Sequence, residues 1–378
     1  MNRIKYSLLL ILLNCWYINS IAQNANQNID SLLRTKGAID SLLQLLKHSK
    51  EDTTKVNILN WISSGYKINK QAENGKRYAD SALLLADKIG FKKGKALAYS
   101  RIAGYYFDKA EHHDEAVKNY LAALKIYEEI GYKPGILGVH WNLGQLYINT
   151  SNYTEALKHH KEALKIKLET GADKNTIAPS YNNIGLIYDY QGNHTEAIKN
   201  YTEALKIREQ TGNKNGLASS YQNIGAVYLQ QGNSPEALKY FLDALKISEQ
   251  NGLKQIMADC YNNIGLIYSD QKNYTDALKN YKASLAINKE RGYKTGAALN
   301  YNNIGLIYFE QADYDEAVNY FQDALALYEQ TGSKRGIAQC YSNIALAYKE
   351  QNKYAEALKY AFEALKINEQ IGHKQGIS

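Results

Sequence analysis

The sequence has few residues that interrupt helices, since only three of its 378 residues are proline. Because proline breaks helix interiors, this scarcity favours a nearly all-helical protein. Downstream of residue 22 the sequence also lacks any apolar run of membrane length, for which about 20 residues are needed. We therefore expect no membrane insertion of the chain beyond its N-terminal segment.

Motifs of the common enzyme classes are missing as well. There is no nucleophile elbow, phosphate-binding loop, HExxH pair or dinucleotide-binding glycine fingerprint, so we predict no enzyme and no cofactor. The formal net charge is +7, but Lys and Glu are interspersed, whereas a nucleic-acid binder would cluster its basic residues on one face. This pattern argues against a nucleic-acid partner.

Two pairs of adjacent histidines, His112-His113 and His159-His160, are the only hint of a metal site. Neighbouring side chains on a helix point about 100° apart. No cluster of cysteines or carboxylates supplies the remaining ligands that a metal needs. The sequence therefore predicts no metal site.

The first 22 residues have the features of a signal peptide. Arg3 and Lys5 precede an apolar stretch from Leu8 to about Ile18, and Ser20-Ile21-Ala22 offers a small-x-small cleavage site. The apolar stretch is short for a membrane span, so cleavage is favoured over a retained anchor. We expect an exported protein that is periplasmic or extracellular after signal-peptide cleavage.

The chain is dominated by a repeat of forty residues. The segment from Tyr181 to Tyr188 returns, with small variations, at residues 221, 261, 301 and 341. A fixed period of this size predicts stacked helical units rather than a closed globule. We expect a capping helical segment at 23–55 and a repeat array at 56–378. Its about eight units are 56–99 (degenerate), 100–139, 140–180, 181–220, 221–260, 261–300, 301–340 and 341–378.

Each unit divides into two helices that a turn separates. Asn193, followed by Glu196, predicts the N-terminal cap of the second helix. Gly185 lies inside the first helix, where glycine costs about 1 kcal/mol relative to alanine. We expect it to permit close approach of the second helix, with Ala197 across the contact.

Two cysteines of the repeats, Cys260 and Cys340, occupy equivalent positions two units apart. In a stack of such units they cannot reach the Cα separation of about 4.4–6.8 Å that a disulfide requires. We predict that both thiols are free and packed.

The run of aromatic, Leu or Ile, Gly and Tyr, followed by Ala, aromatic and Ala, resembles the tetratricopeptide repeat. The resemblance covers residues 56–378. The proline that commonly ends the second helix, at the place of Glu209, is missing from every unit. This forty-residue variant is similar to the repeats of kinesin light chains, of spindle-orientation adaptors and of the extracytoplasmic regions of bacterial sensor histidine kinases. The segment from Asp52 to Asn57, after a secretory signal, is most similar to the last group.

The resemblance implies an all-α superhelical solenoid of antiparallel helix pairs. It also implies a non-enzymatic interaction scaffold that binds a protein or peptide in its concave groove. The alternative is the extracytoplasmic sensory or input region of a membrane signalling protein of the histidine kinase type.

Amides and leucines recur beside the core face of the first helices, one set in each repeat. An Asn amide both donates and accepts hydrogen bonds, so a regular ladder of amides could satisfy an extended peptide backbone while the leucines bury its side chains. Alternatively, each amide bonds the backbone of the next repeat. The candidate groove residues are Asn142, Asn182, Asn183, Leu186, Gln222, Asn223, Asn262, Asn263, Leu266, Asn302, Asn303, Leu306, Asn343 and Leu346.

The last helix pair is expected to expose an apolar face that includes Ala364, Leu365 and Ile367. One explanation is a longer reading frame with further repeats and an output module. The other is self-association through the last repeat. We favour the longer reading frame, because the sequence breaks off at an arbitrary point of the repeat.

Overall fold

A computed structural model describes residues 33–34 and 37–372. The predicted signal peptide and residues 373–378 lie outside these described residues. Contacts divide the chain into two compact units, unit 1 up to Ala172 and unit 2 from Asp173 onward. The described residues contain α-helices, one 3-10 turn at Ala110–His112, and no strand.

The described residues of unit 1 form seven α-helices of more than one turn, in which each helix after the first packs on the one before it. They are α1 (Ala38–His48), α2 (Thr53–Ile68), α3 (Ala72–Lys88), α4 (Lys92–Phe107), α5 (His113–Glu129), α6 (Lys133–Asn149) and α7 (Tyr153–Glu169).

Between Asp173 and residue 372, the described part of unit 2, ten helices form five antiparallel pairs with the same packing of neighbours. They are α8 (Lys174–Tyr190), α9 (His194–Thr211), α10 (Lys214–Gln230), α11 (Ser234–Asn251), α12 (Lys254–Asp270), α13 (Tyr274–Glu290), α14 (Lys294–Glu310), α15 (Tyr314–Thr331), α16 (Lys334–Glu350) and α17 (Tyr354–Gln370).

The predicted caps begin the second helices. The side chain of Asn193 accepts a hydrogen bond from the backbone N–H of Glu196 at 3.2 Å, which satisfies one of the N–H groups that lack a partner within the helix. The same contact forms at the equivalent positions Asn152, Asn233 and Asp313. The cap prediction is confirmed at these four positions.

The mid-helix glycines lie at a close approach to the second helix, as predicted. At Gly225 and Gly305 an added Cβ would lie 3.3 Å from the backbone oxygen of the predicted alanine, but an aromatic ring lies nearer. A Cβ added to Gly185 would lie 2.8 Å from the ring of Tyr201, and one added to Gly265 would lie 2.8 Å from the ring of Tyr281. The aromatic ring thus covers the glycine, and Ala197 lies one turn earlier on the same helix. Side chains on a helix lean toward its N-terminus, which carries the ring of Tyr201 back over Gly185.

The last pair replaces both members of this contact. Ala345 stands where the other pairs of unit 2 have glycine, and Ala361 stands where they have Tyr or Phe. A methyl group on the first helix therefore coincides with removal of the ring on the second. The two substitutions compensate sterically.

The exposed apolar face of α17 consists of other residues than the predicted ones. Ala364 is buried, and Leu365 and Ile367 are half-buried, because they face α16. Tyr354, Leu358 and Phe362, spaced four residues apart, are instead 59%, 59% and 65% exposed.

The cysteine prediction is confirmed. Cys260 and Cys340 are free and buried, and burial raises the pKa of each thiol to about 12. Each packs in an apolar cluster as a small core residue.

No helix within the described residues combines the length and the apolar character that crossing a membrane requires.

Candidate functional site

Amide side chains on the first helices of unit 2 pair with one another from one repeat to the next. Asn223 donates a hydrogen bond through Nδ2 to Oδ1 of Asn182, at 3.0 Å. The same contact, between residues 41 apart, joins Asn303 to Asn262 at 3.0 Å and Asn343 to Asn302 at 2.8 Å. The amides thus bond the side chain of the preceding repeat rather than its backbone. Each donor uses one of its two N–H groups in this contact.

A cavity of about 320 Å³ lies between α10 and α15, at the step of this series that would join Asn263 to residue 222. Gln222 takes the place of an asparagine at this step, and both Gln222 and Asn263 line the cavity. Asn262, Asn288 and Asn300 complete a wall of five side-chain amides. Such a wall offers both donors and acceptors without a net charge.

The floor of the cavity is a connected network of buried polar side chains. Oδ1 of Asn300 accepts from Ser284 Oγ at 3.1 Å and from Asn288 Nδ2 at 2.9 Å. Nδ2 of Asn300 in turn donates to Oδ1 of Asn262 at 3.1 Å. Ser284, Asn288 and Asn300 are buried. Because buried amides are costly to leave unbonded, a fully connected network holds them in one arrangement.

The rest of the cavity wall adds one charge and two aromatic side chains. Asp259 is the single charged side chain among the described lining residues, and Nε2 of Gln255 donates to it at 3.2 Å. Burial raises the pKa of Tyr328 to about 12, so this phenol stays neutral and can donate a hydrogen bond. Tyr293 and Leu299 supply exposed apolar surface at the rim.

The predicted leucine line is solvent-accessible along α12, α14 and α16. Leu266, Leu306 and Leu346 are 39%, 38% and 49% exposed. A single exposed leucine is ordinary on a protein surface, whereas a row of them marks a contact surface more often. Leu186, at the equivalent position of α8, is half-buried against a core cluster instead.

The structure distributes the predicted site residues over three settings. Gln222, Asn262 and Asn263 line the amide cavity. Asn142 lies in unit 1 and lines a different cavity. The remaining amides are half-buried or buried on the first helices of unit 2, namely Asn182, Asn183, Asn223, Asn302, Asn303 and Asn343.

Sequence reasoning missed the floor of the cavity, although the repeat itself carries the signal. Ser284 stands where the other units from residue 181 onward have alanine, at positions 204, 244, 324 and 364. Asn300 stands where equivalent positions hold Ser or Cys. One unit therefore departs from the pattern at two buried positions, and these departures meet at one cavity.

The described residues contain no group of three or more His, Cys, Asp or Glu side chains that could hold a metal ion. His140 and His159 do approach each other, with their Nδ1 atoms 2.8 Å apart. His160, in contrast, lies in the core against Gly144.

The sequence model described as "Tetratricopeptide repeat" matches overlapping windows of the chain at residues 135–210, 176–250, 216–290, 256–330 and 296–370. Together these windows cover more than half of the sequence. Comparison with curated protein sequences finds no match.

Solved structures with the same fold are similar to this chain at low sequence identity. The quorum sensor NprR from Bacillus thuringiensis, in its apo form, has a TM-score of 0.62 and 17% identity over 96% of this chain and 99% of its own. Aspartyl phosphate phosphatase F from Bacillus subtilis has a TM-score of 0.61 and 15% identity, over 90% and 91% of the two chains.

A third similar structure is a signal transduction ATPase from Pyrococcus horikoshii whose tetratricopeptide repeats are named as its sensor. Its TM-score is 0.57 and its identity 16%, over 96% of this chain and 60% of its own. At these identities the likeness establishes the helix-pair solenoid fold and nothing finer. The predicted fold class is thereby confirmed.

Proposed function

Because the chain belongs to the tetratricopeptide repeat family, we propose that it is a non-catalytic binding protein. Its partner is a peptide or an extended protein segment, which lies along the first helices α10, α12 and α14 of unit 2. The observation that carries this proposal is the cavity between α10 and α15. Its wall presents five side-chain amides at the step of the series where Gln222 replaces an asparagine.

An extended backbone presents alternating N–H and C=O groups, which a wall of amides can match in either direction. Asn262, Asn288 and Asn300 are held in place by bonds to one another, so little side-chain entropy is lost when a ligand binds. The exposed Leu266 and Leu306 lie on α12 and α14, the helices that also carry Asn262 and Asn300. This combination suits a partner with a free backbone and apolar side chains.

The proposal is tested with a library of random-sequence peptides displayed on phage and selected on the full chain. Asn263→Ala removes an amide that lines the cavity. Asn343→Ala is the matched control, because Asn343 is the equivalent residue two repeats further along and does not line the cavity. We expect selected peptides to lose at least tenfold in affinity for Asn263→Ala and less than twofold for Asn343→Ala, since a buried peptide group left without its hydrogen-bond partner costs about 1–3 kcal/mol.

The opposite result would assign the amides a structural role only. In that case both variants would lower the melting temperature by similar amounts, and the affinity per folded molecule would stay unchanged. Failure of the wild-type chain to enrich any peptide would also contradict the proposal.

A sensory input role is the second candidate, and the names of two similar structures favour it, a quorum sensor and a repeat sensor of a signal transduction protein. We place this role outside the cytoplasm, because residues 1–22 have signal-peptide features. Fractionation of cells that express the full sequence, with the N-terminus of the mature product determined by mass spectrometry, tests the location. A product that begins at Met1 in the cytoplasm would contradict it.

A further inference from the structure

Unit 1 has a cavity of its own, and its chemistry differs from that of unit 2. It has a volume of about 250 Å³ and lies among α2, α3, α4, α5 and α6. At about 30 Å³ for each water in the liquid, this is space for a group of several heavy atoms. Asn142 is the one predicted site residue in its wall.

The wall of this cavity is positively charged. Lys67, Lys76 and Arg101 line it, and the described lining residues include no carboxylate. Three acidic groups lie just outside the wall, where Lys76 contacts Asp80 at 2.8 Å, Lys67 contacts Asp108 at 3.3 Å and Glu73 accepts from the hydroxyl of Tyr105 at 2.7 Å. Both ion pairs are partly exposed, and such pairs stabilise by at most about 1 kcal/mol. A bound anion can therefore compete with them.

Neutral hydrogen-bond donors complete the wall. Ser63 and Ser64 are 4% and 6% exposed, and Tyr105 and Tyr120 are buried beside them. The hydroxyl groups of Ser63, Ser64 and Tyr120 and the amide of Asn142 can donate to an oxyanion whose charge is matched by the three cations, whereas the hydroxyl of Tyr105 already donates to Glu73 at 2.7 Å. Arg101 adds a planar fork of N–H groups that fits a carboxylate or a phosphate in two-point contact.

The cavity exists because one glycine of unit 1 is not covered by its aromatic partner. A Cβ added to Gly104 would meet Nζ of Lys67 at 3.2 Å and only the hydroxyl of Tyr120, at 3.8 Å. In unit 2 the corresponding ring lies within about 3 Å of the glycine, as for Gly265 and Tyr281 at 2.8 Å. The space that an aromatic ring fills in unit 2 is here only partly filled, by the head group of Lys67.

We propose that the cavity lined by Lys67, Lys76, Arg101 and Asn142 is a binding site for an oxyanion, the carboxylate or phosphate group of a ligand. This inference is independent of the amide cavity in unit 2. It concerns other residues and an anionic ligand, whereas the amide wall of unit 2 carries no net positive charge that would favour an anion.

Inorganic phosphate is the first probe, titrated into the full chain by calorimetry at low ionic strength, where charges are least screened. We expect saturable binding that falls at least tenfold in Arg101→Gln and in Lys76→Gln. Lys92→Gln is the matched control, because Lys92 begins the same helix as Arg101, pairs with Glu129 at 3.3 Å and does not line the cavity. It should bind phosphate as the wild type does.

A glutamate-rich peptide distinguishes the two sources of the oxyanion. Displacement of phosphate by the peptide identifies side-chain carboxylates as the ligand, and failure to displace it identifies a small free anion; both results uphold the site. Lys76→Gln, at a partly exposed position, keeps the test valid if Arg101→Gln does not fold. Absence of binding of either probe, or an equal loss in Lys92→Gln, would overturn the proposal. Asn263→Ala should leave phosphate binding unchanged, which separates this result from any failure of peptide binding in unit 2.

Discussion

Units 1 and 2 are built from the same kind of helix pair, yet their cavities have different chemistry. In unit 1 the wall carries Lys67, Lys76 and Arg101, whereas in unit 2 it carries five amides and the single carboxylate of Asp259. The contacts that hold a pair together involve buried Ala, Gly and aromatic positions. Positions beside that core can therefore change without altering the pair. The core positions fix the distance between the two helices of a pair, and the positions beside the core determine the chemistry of the cavity wall.

The cores of the two units also differ at one aromatic position. Tyr201, Phe241, Tyr281 and Phe321 occupy it in unit 2, whereas His160 occupies it in the last pair of unit 1. His160 is fully buried, and His159 next to it is 5% exposed. Burial lowers the pKa of each imidazole to about 4, with added repulsion from His140 at His159 and from His159 at His160. Unit 1 therefore contains a titratable core that its counterpart lacks at this position.

Acidification should produce the largest difference in stability between the two units. In the unfolded chain these histidines titrate near pH 6.5, and in the fold near pH 4. Between these values the unfolded state binds more protons, so stability is full above pH 6.5 and falls as the pH drops toward 4. At pH 5 the loss is about 2 kcal/mol for each histidine, from 1.36 kcal/mol for each pH unit. Hydrogen exchange at pH 7 and pH 5, corrected for intrinsic rates, should show lost protection in α6 and α7 and little change in α10 to α15.

His160→Phe, which copies the residue type of Phe241, is the control for this prediction. It should remove about half of the pH sensitivity of unit 1. Equal loss of protection in both units at pH 5, or an unchanged pH profile in this variant, would contradict the assignment to the buried histidines.

Substitution of Asn300 should produce the next largest effect. Asn300→Cys copies the residue at position 260 but leaves Ser284, Asn288 and Asn262 without their shared partner. We expect a loss of about 1–3 kcal/mol in the free energy of unfolding, because the buried Asn288 loses its acceptor at 2.9 Å, whereas Ser284 still bonds Ala258 and Asn262 still bonds Asn303. Denaturant unfolding measures it. Cys340→Ser, at the equivalent position one repeat further along, should cost less, and a larger loss there would argue against the network.

A methyl group added to a mid-helix glycine should affect the stability of the two units differently. Gly265→Ala places a Cβ 2.8 Å from the ring of Tyr281, so crowding of about 1–3 kcal/mol opposes a gain in helix propensity of about 1 kcal/mol. Gly104→Ala meets the flexible head of Lys67 at 3.2 Å and should keep most of that gain. Thermal unfolding should rank Gly104→Ala above wild type and Gly265→Ala below it. The reverse ranking would show that the space beside Gly104 is filled in solution.

The smallest effect is expected on the exposed face of α17. Phe362→Gln copies Gln322 of the preceding pair, and the side chain of Phe362 is 65% exposed. Its removal should change the free energy of unfolding by less than about 0.5 kcal/mol, as is usual for exposed positions. Denaturant unfolding at a fixed protein concentration checks this, with the fully buried Phe321→Gln as the contrasting variant. A large loss in Phe362→Gln would mean that this face is covered in solution.

The regular part of the fold could be predicted from sequence because it depends on local rules. Forty-residue spacing, the Asn193 cap and the packing of Cys260 each follow from periodicity or from nearby residues. The partner of Gly185 could not be chosen in this way, since Ala197 and Tyr201 share one helix face and only the side-chain direction decides between them. The exposed face of α17 was misassigned for a similar reason.

The cavities depend on residues that are distant in sequence. Asn300 and Asn262 are 38 residues apart and bond only because neighbouring helix pairs stack in one register. The basic cavity of unit 1 requires that Tyr120 leaves Gly104 uncovered, which no spacing in the sequence reveals. Periodicity predicts where equivalent residues recur, and the departures from it become informative only once the neighbours are known.

The contact between a glycine and a ring also constrains how such a chain can change over generations. Altering Gly265 alone crowds Tyr281, and shrinking Tyr281 alone leaves a void, so each single replacement lowers the stability of the pair. Duplicating a whole forty-residue segment carries both members at once and meets no such barrier. The alanines at positions 345 and 361 form a second combination of residues that fits the same helix–helix contact. Growth by copying intact segments is therefore easier for this architecture than gradual divergence at its tightest contacts.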